Sequence, residues 1–201
     1  MSNIHANNLM APIVNGGQAA KFGQGNFNDP DMLEVGNVGL TLVEQRTMMS
    51  LWSLAGAPLL AGTDIIHASD ETLAILANAE VTAINQDAGH NAKGQGVLVD
   101  ASSTVGSTAT SIEVWAKPLA DGKSVAVVLL NLGDAAASAT AQWASIGLAP
   151  TAKATVRDLW AKRDLPDATG SLSATVPSHG VRMFKLTAAS SAGVRDVVGI
   201  V

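Results

Sequence analysis

The chain has 201 residues, of which 47% are hydrophobic and 14% are charged, so it is long enough for one or two domains with an apolar core. Its formal net charge is −5, and we therefore expect neither nucleic acid nor an anionic membrane as a partner. It has no cysteine, which excludes a disulfide framework and a thiolate metal site. The four histidines lack metal-ligand spacing, and we predict no metal and no cofactor; they are His5, His67, His90 and His179.

Targeting and membrane signals are also missing. Residues 1–20 lack the basic start and apolar run of a signal peptide. The longest nearly apolar run, Leu51 to Ala61, is too short to span a membrane and contains Ser53, Gly56 and Pro58. We therefore expect a chain that does not span a membrane.

Helical periodicity characterises residues 1–94, the first predicted domain. Thr41 and Glu44 have the spacing of a capping box, which predicts a helix that begins at Thr41. Gly56 is predicted to end this helix, and the apolar run from Pro58 to Gly62 is typical of a buried parallel strand.

A further helix is predicted to begin near Ser69, with acidic residues in its first turn, where the helix dipole favours anions. The residues predicted to form its inner face are Leu73, Leu76 and Ala77, and the run from Val81 to Ile84 continues the helix or forms a last apolar patch. Strands alternating with helices indicate an α/β barrel or a doubly wound sheet.

Strands and turns characterise residues 95–188, the second predicted domain. Asp121-Gly122 indicates a hairpin turn before a fully apolar strand at Val125–Leu130. Short strands spaced by about ten residues favour an antiparallel β-sandwich, and the further strands are predicted at Ala139–Trp143, Lys153–Asp158, Ser171–Val176 and Gly180–Leu186. The Ser/Thr/Ala-rich run 101–110 is predicted to be a loop, and residues 189–201 form an unassigned tail.

Two aspartates flank Pro30 and form one candidate site. Proline disfavours the helical region for Asp29, and in an extended segment the side chains of Asp29 and Asp31 would point the same way, toward one pocket. Such carboxylates could accept hydrogen bonds from sugar hydroxyls; the alternative is a solvated turn. Because both approach from one side, the spacing argues against a complete acid and nucleophile pair of a retaining glycosidase.

Asp64 and the tryptophans are weaker candidates. Asp64 follows the predicted strand, where a functional group of an α/β barrel would lie, but an aspartate that caps the loop fits equally well. Tryptophan rings can stack on sugars, yet Trp52 and Trp115 lie in core-like patterns that favour packing.

Four ordered motifs resemble glycoside hydrolase family 27, the α-galactosidases. The run from Gly25 to Asn37 reads G-N-F-N-D-P-D-M-L-E-V-G-N and resembles the family's N-D-P-D-M-L-E-V-G-N signature. The other runs follow in the family's order: S-L-W-S-L-A-G-A-P-L-L at 50–60, N-A-E-V-T-A-I-N-Q-D at 78–87 and E-V-W-A-K-P-L at 113–119. The similarity extends over residues 3–188.

The resemblance implies the C-terminal portion of a (β/α)8 barrel followed by an antiparallel β-sandwich, and retaining cleavage of terminal α-galactosides. By matching positions it implies that Asp31 and Met32 bind the sugar, while Asn28, Asp29 and Asp64 support the pocket loops. The implied ligands are galactose or α-galactoside oligosaccharides. The resemblance also implies a secreted or periplasmic full-length protein.

Departures from the family pattern concern the catalytic groups. The family's nucleophile lies in a K-x-D motif on an earlier barrel strand, and its acid/base aspartate lies shortly before N-D-P-D. The first motif is missing in that context, and residues 1–24 contain no aspartate or glutamate. A barrel of this class needs roughly 250 residues. We therefore expect a C-terminal fragment with no catalytic residue of its own, inactive in isolation.

Two alternatives remain open. The chain could be a noncatalytic galactoside-binding or assembly module, or part of a relative that acts on α-N-acetylgalactosaminides or β-L-arabinopyranosides. The motifs do not decide between these sugars, and they leave the oligomeric state undetermined.

Overall fold

The computed structural model describes residues 29–90, 94–104, 110–189, 194–197 and 199. Helices occupy the first of these ranges, and antiparallel strands fill most of the remainder. No helix in the described ranges combines the length and apolar character needed to cross a membrane.

The described residues form three α-helices: α1 spans Leu42–Ala55, α2 spans Asp70–Leu76 and α3 spans Ala79–Gln86. The predicted capping box is confirmed, because Thr41 Oγ1 accepts the Glu44 N–H at 3.3 Å while the Glu44 carboxylate accepts the Thr41 N–H at 2.8 Å. Gly56 ends α1 with φ +64, a left-handed conformation that glycine adopts without strain. A β-carbon there would lie 2.6 Å from the Gly94 carbonyl oxygen, so the position requires glycine.

The prediction for α2 was correct in its start and, apart from Leu76, which packs against the core, wrong in its buried face. Ser69 caps the helix as expected, but Thr72 and Ile75 are its buried residues, and Leu73 is 37% exposed. The helix is only seven residues long and packs on α1 through the Thr72 hydroxyl, which donates to Gln45 at 3.0 Å. The helix therefore faces the core with Thr72 and Ile75. The next apolar run belongs to a separate helix, α3.

The buried parallel strand predicted at Pro58–Gly62 is also corrected. The chain here makes one parallel bridge, Leu33 to Ala61, with backbone hydrogen bonds from Leu33 N to Leu60 O and from Gly62 N to Leu33 O. Leu60 is 65% exposed. A parallel strand is buried where strands flank it and helices cover it, and no second strand pairs with this segment among the described residues.

Eight strands follow within the described ranges. Their bounds are β1 Val97–Thr104, β2 Thr110–Pro118, β3 Ser124–Asn131, β4 Ala137–Gln142, β5 Lys153–Asp158, β6 Arg163–Thr169, β7 Ser171–Val176 and β8 Val181–Ala188. A six-stranded antiparallel sheet has the order β1-β2-β3-β8-β5-β6, and β4 pairs with β7 in a second sheet. The predicted hairpin turn is confirmed, because the Asp121 carboxylate accepts the N–H groups of Lys123 and Ser124.

Two strands depart from the predictions. Residues 101–104, predicted as loop, continue β1 and pair with β2. The edge strand β6 has a charged, largely exposed sequence without apolar alternation, and it contains Pro166. An edge strand tolerates proline because one row of its backbone groups needs no partner.

The six-stranded sheet lies between the helices and the two-stranded sheet. On one face, Trp115, Val128 and Met183 join a cluster with residues of α1 and α3. On the other face, Val127 and Phe184 pack against the strands of the second sheet. Strand β3 is therefore buried at every position, as its continuous apolar sequence predicts.

Polar contacts fasten the helices to the sandwich. Arg157 on β5 makes two hydrogen bonds to the Glu80 carboxylate of α3, at 2.7 and 2.9 Å. This pairing holds the pKa of the Glu80 carboxyl below its usual value. Asn78 caps α3 and also donates to the Leu159 carbonyl at 3.0 Å. An ion pair and a hydrogen bond thus connect helix α3 to the sandwich.

The predicted tail also packs on the sandwich. Val194 is buried and its N–H donates to the Gly122 carbonyl at 2.9 Å. The Arg195 N–H donates to the Gly147 carbonyl at the same distance. A β-carbon on Gly147 would lie 2.4 Å from Arg195 O, which explains glycine at this close approach.

Candidate functional site

The Asp-Pro-Asp-Met segment folds into a tight local turn. Asp29 Oδ1 accepts the Asp31 N–H at 2.9 Å, and Asp31 Oδ1 accepts the Met32 N–H at 2.7 Å. Asp31 has φ +81, a left-handed conformation that aspartate tolerates better than most residues. The predicted extended segment is therefore wrong at this position, because each carboxylate bonds a backbone N–H close by.

Asp31 nevertheless keeps capacity to bind a ligand. Its side chain is exposed, and within the described residues its second oxygen, Oδ2, makes no hydrogen bond. A carboxylate offers about four acceptor sites on its two oxygens. The turn thus orients Asp31 and leaves most of its acceptor sites free. The Asp31 carbonyl accepts a hydrogen bond from Trp52 Nε1 at 3.4 Å, which ties the turn to the buried α1.

The Met32 side chain lies against Gly62 of the segment that pairs with Leu33. A β-carbon on Gly62 would be 3.2 Å from both the Cβ and the Sδ of Met32, so glycine makes room for this side chain. Met32 is 52% exposed, which presents its thioether to solvent beside Asp31. Asn37 Nδ2 donates to the Gly62 carbonyl at 3.2 Å and the Thr63 hydroxyl donates to the Val35 carbonyl. The two segments are therefore held together along their length.

Asp64 stabilises its own loop. Its Oδ1 accepts the N–H groups of Ile66 and His67 at 3.1 and 3.3 Å, and its Oδ2 lies 2.7 Å from His67 Nδ1. The hydrogen bond to the His67 side chain is the main cause that lowers the pKa of the Asp64 carboxyl. Of the two interpretations of Asp64 from sequence, the geometry favours the loop cap.

The structure does not bring Asp31 and Asp64 together. In the parallel register, Asp31 precedes Leu33 by two residues, and Asp64 follows Ala61 by three. The two carboxylates therefore lie toward opposite ends of the paired segments. Asn28, predicted to support the same loop, lies outside the described residues. No sequence pattern predicted the roles of Asn37, Gly62 and Thr63, which depend on contacts between the two segments.

Three carboxylates in the described ranges are buried, and each is engaged in a structural contact. Glu44 caps α1 through Thr41, and Asp158 accepts the backbone N–H groups of Trp160 and Ala161. Glu113 accepts the indole N–H of Trp115 at 2.9 Å, and burial raises the pKa of its carboxyl. These contacts identify no paired acid and nucleophile among the buried carboxylates.

The K-x-D triplet Lys162-Arg163-Asp164 illustrates why context matters. It runs from the β5–β6 turn into the edge strand β6, where the Asp164 side chain is 83% exposed and pairs with Arg157 at 3.2 Å. An exposed edge strand of the sandwich supplies no barrel strand for a nucleophile. No group of three or more potential metal ligands lies within the part of the chain that the structure describes.

Helices packed on an antiparallel β-sandwich, together with an exposed carboxylate at Asp31 that can accept hydrogen bonds from a sugar, are features of a class of glycoside hydrolases. Residues 14–87 match the family model described as alpha galactosidase A, and residues 109–186 match the model of the alpha galactosidase C-terminal beta sandwich domain. The chain belongs to glycoside hydrolase family 27, the α-galactosidase family. The resemblance identified from the motifs is confirmed.

Similar plant proteins extend the match. The chain is 44% identical over 169 residues to an α-galactosidase of Oryza sativa, covering 84% of this chain and 38% of that protein. It is 44% identical over 165 residues to the α-galactosidase of Cyamopsis tetragonoloba, covering 82% of this chain and 38% of that protein. The chain thus spans about two fifths of the length of these relatives.

Solved structures agree with the fold. α-Galactosidase I of Mortierella vinacea matches with a TM-score of 0.73 and 32% identity, over 90% of this chain and 44% of that chain. The Saccharomyces cerevisiae enzyme solved with raffinose gives a TM-score of 0.77 at 22% identity, over 87% of this chain and 50% of that chain. A Geobacillus stearothermophilus β-L-arabinopyranosidase gives a TM-score of 0.69 at 26% identity, over 89% of this chain and 41% of that chain. The predicted end of a barrel followed by a β-sandwich is confirmed.

Proposed function

We propose that this chain supplies one wall of the sugar pocket of a retaining glycosidase that removes terminal α-galactosyl residues, with Asp31 and Met32 facing the sugar. The observation that carries the proposal is the turn at Asp31, which fixes the exposed carboxylate while Oδ2 makes no hydrogen bond to any residue that the structure describes. The α-galactosidase names of relatives at 44% identity support the substrate class.

The two side chains suit the two faces of a pyranose. The free acceptor sites of Asp31 take hydrogen bonds from sugar hydroxyls, and hydrogen bonds to a charged acceptor are worth more than neutral ones. Met32 offers an adaptable apolar surface to the C–H groups of the ring. Asp29 holds the turn through the Asp31 N–H and acts as a positioning residue.

The bond-breaking chemistry needs two further carboxyl groups, which we assign outside this chain's residues. A retaining pair sits about 5–5.5 Å apart on opposite sides of the scissile bond. Asp29 and Asp31 lie in one turn and approach from one side, and Asp64 is engaged by its own loop. The chain therefore binds and orients the sugar without cleaving it.

Replacing Asp31 with asparagine tests this role. The unmodified chain is expected to bind galactose at millimolar concentration, and Asp31→Asn to weaken binding at least tenfold, because an amide presents fewer and weaker acceptors. Saturation-transfer NMR with galactose measures the affinities. Asp100→Asn, at an exposed position of β1, is the matched control and should bind like the unmodified chain.

Two outcomes would contradict the proposal. One is the absence of galactose binding by the unmodified, folded chain at millimolar sugar. The other is equal binding by Asp31→Asn and by the unmodified chain, which would exclude the Asp31 carboxylate from the pocket.

A further inference from the structure

A cleft of about 260 Å³ lies between helix α1 and the corner where β5 ends and β8 begins. It is separate from the Asp31 turn, since its lining residues come from α1 and the sandwich. Its walls are partly apolar and partly charged, and the residues that matter for its chemistry are Val43, Arg46, Asp158, Trp160, Pro177 and Arg182.

The charges in this cleft are unevenly paired. Asp158 is 2% exposed, and its Oδ2 accepts a hydrogen bond from Arg182 at 2.9 Å while its Oδ1 accepts two backbone N–H groups. Its acceptor capacity is therefore largely used. Within the described residues the Arg46 guanidinium makes no ion pair; it lies 6.0 Å from the centroid of the Trp160 ring. In a chain with net charge −5, the cleft thus carries an excess positive charge.

The walls of the cleft are held in place before any ligand binds. Trp160 is held by two hydrogen bonds. Its backbone N–H donates to the Asp158 carboxylate at 3.1 Å, and its indole Nε1 donates to the Ser50 hydroxyl at 2.9 Å. Arg182 is held by Asp158 and stacks over Phe184 at 5.8 Å. A preformed site loses less conformational entropy on binding than a flexible one.

We propose that this cleft binds a small carboxylate-bearing ligand, whose carboxylate pairs with Arg46 and whose body packs on Trp160, Val43 and Pro177. Guanidinium groups recognise carboxylates through paired hydrogen bonds. The volume lies below the usual range of about 300–1,000 Å³ for ligand pockets, so the ligand is of monosaccharide size. A uronic acid or a free organic acid supplies this chemistry.

NMR titration of the Trp160 indole N–H tests the site with three probes at equal ionic strength: galacturonate, galactose and acetate. Galacturonate is expected to shift this resonance with saturation, and galactose to leave it in place because it lacks a carboxylate. Tighter binding of galacturonate than of acetate identifies a uronic acid as the source. Equal affinities identify a free carboxylate, and both results support the site.

Arg46→Gln is the decisive variant, and Arg163→Gln on the exposed edge strand β6 is its matched control. Binding of galacturonate should weaken at least fivefold in Arg46→Gln and stay unchanged in Arg163→Gln. Arg46 is exposed, so circular dichroism should show both variants folded. The proposal is overturned if galacturonate leaves the Trp160 resonance in place, if galactose shifts it equally, or if Arg46→Gln binds as the unmodified chain does.

Discussion

Replacing Asn131 with aspartate is expected to lower the free energy of unfolding by about 3 kcal/mol or more at pH 7, because it places a carboxylate against three backbone carbonyls. Asn131 ends β3 and is fully buried. Its Nδ2 donates to the carbonyls of Ala135, Val176 and Pro177 at 2.8, 3.2 and 3.1 Å, and its Oδ1 accepts the Gly133 N–H at 2.9 Å. Aspartate keeps the acceptor and loses both donors.

Denaturant unfolding at several pH values measures this effect. The destabilisation should shrink toward acid pH, since burial raises the folded pKa of the introduced carboxyl and protonation removes its charge. Asn37→Asp is the control. Asn37 is partly exposed and its side chain donates to one carbonyl, so this substitution should lower the free energy of unfolding by less than about 1 kcal/mol. The account would be contradicted if Asn131→Asp also lost less than about 1 kcal/mol of unfolding free energy.

Because of Lys117, the free energy of unfolding is expected to rise with pH between about 8 and 10.5. Its side chain is fully buried, and its Nζ donates to the Ile84 carbonyl in the last turn of α3 at 2.7 Å. Burial lowers the pKa of Lys117 from 10.5 to about 8, against the opposing attraction of Asp87. Between these values the unfolded chain binds more protons than the folded one, so the folded state gains about 3 kcal/mol as the pH rises through this window.

Comparison with Lys117→Met isolates the contribution of this group. The difference in unfolding free energy between the unmodified protein and Lys117→Met should be flat below pH 8 and should grow in favour of the unmodified protein up to pH 10.5. Methionine leaves the Ile84 carbonyl without its donor, so the slope is the informative quantity rather than the value at one pH. Lys123→Met, at an exposed hairpin position, is the matched control for the substitution. Parallel profiles for Lys117→Met and the unmodified protein would contradict the prediction.

Local chemistry made part of the fold predictable from sequence. Thr41 and Glu44 satisfy each other's backbone groups, so the start of α1 depends on four consecutive residues. The apolar run of β3 reflects burial on both faces of one sheet. Such patterns lie in neighbouring residues, so they can be recognised without knowledge of the tertiary structure.

Contacts between distant segments were beyond the reach of the sequence. The buried face of α2 is defined by the packing of Ile75 in the core and by the hydrogen bond between Thr72 and Gln45, which lie 27 residues apart. Strand β6 owes its existence to pairing with β5, because its own charged sequence and Pro166 give no strand pattern. Its charges also protect the sheet edge from pairing with other chains.

For the candidate site, the sequence named residues whose roles stay a prediction, and it did not indicate their geometry. The motif identified Asp31 and Met32, whereas the positive φ of Asp31 and the fit of Met32 over Gly62 are properties of the folded turn. The cleft at Arg46 and Trp160 brings together residues more than one hundred positions apart, and no periodicity in the sequence indicates it. Its proposed ligand and that of the Asp31 turn remain separate hypotheses with separate tests.

The most direct test of a sugar-binding wall without its own catalytic carboxylates is hydrolysis of a chromogenic α-galactoside by the purified, folded chain. We expect no turnover above the rate of the uncatalysed reaction, while the same preparation binds galactose and loses that binding in Asp31→Asn. Turnover by the unmodified chain would contradict the account, because it would require a working pair of catalytic carboxyl groups within this chain.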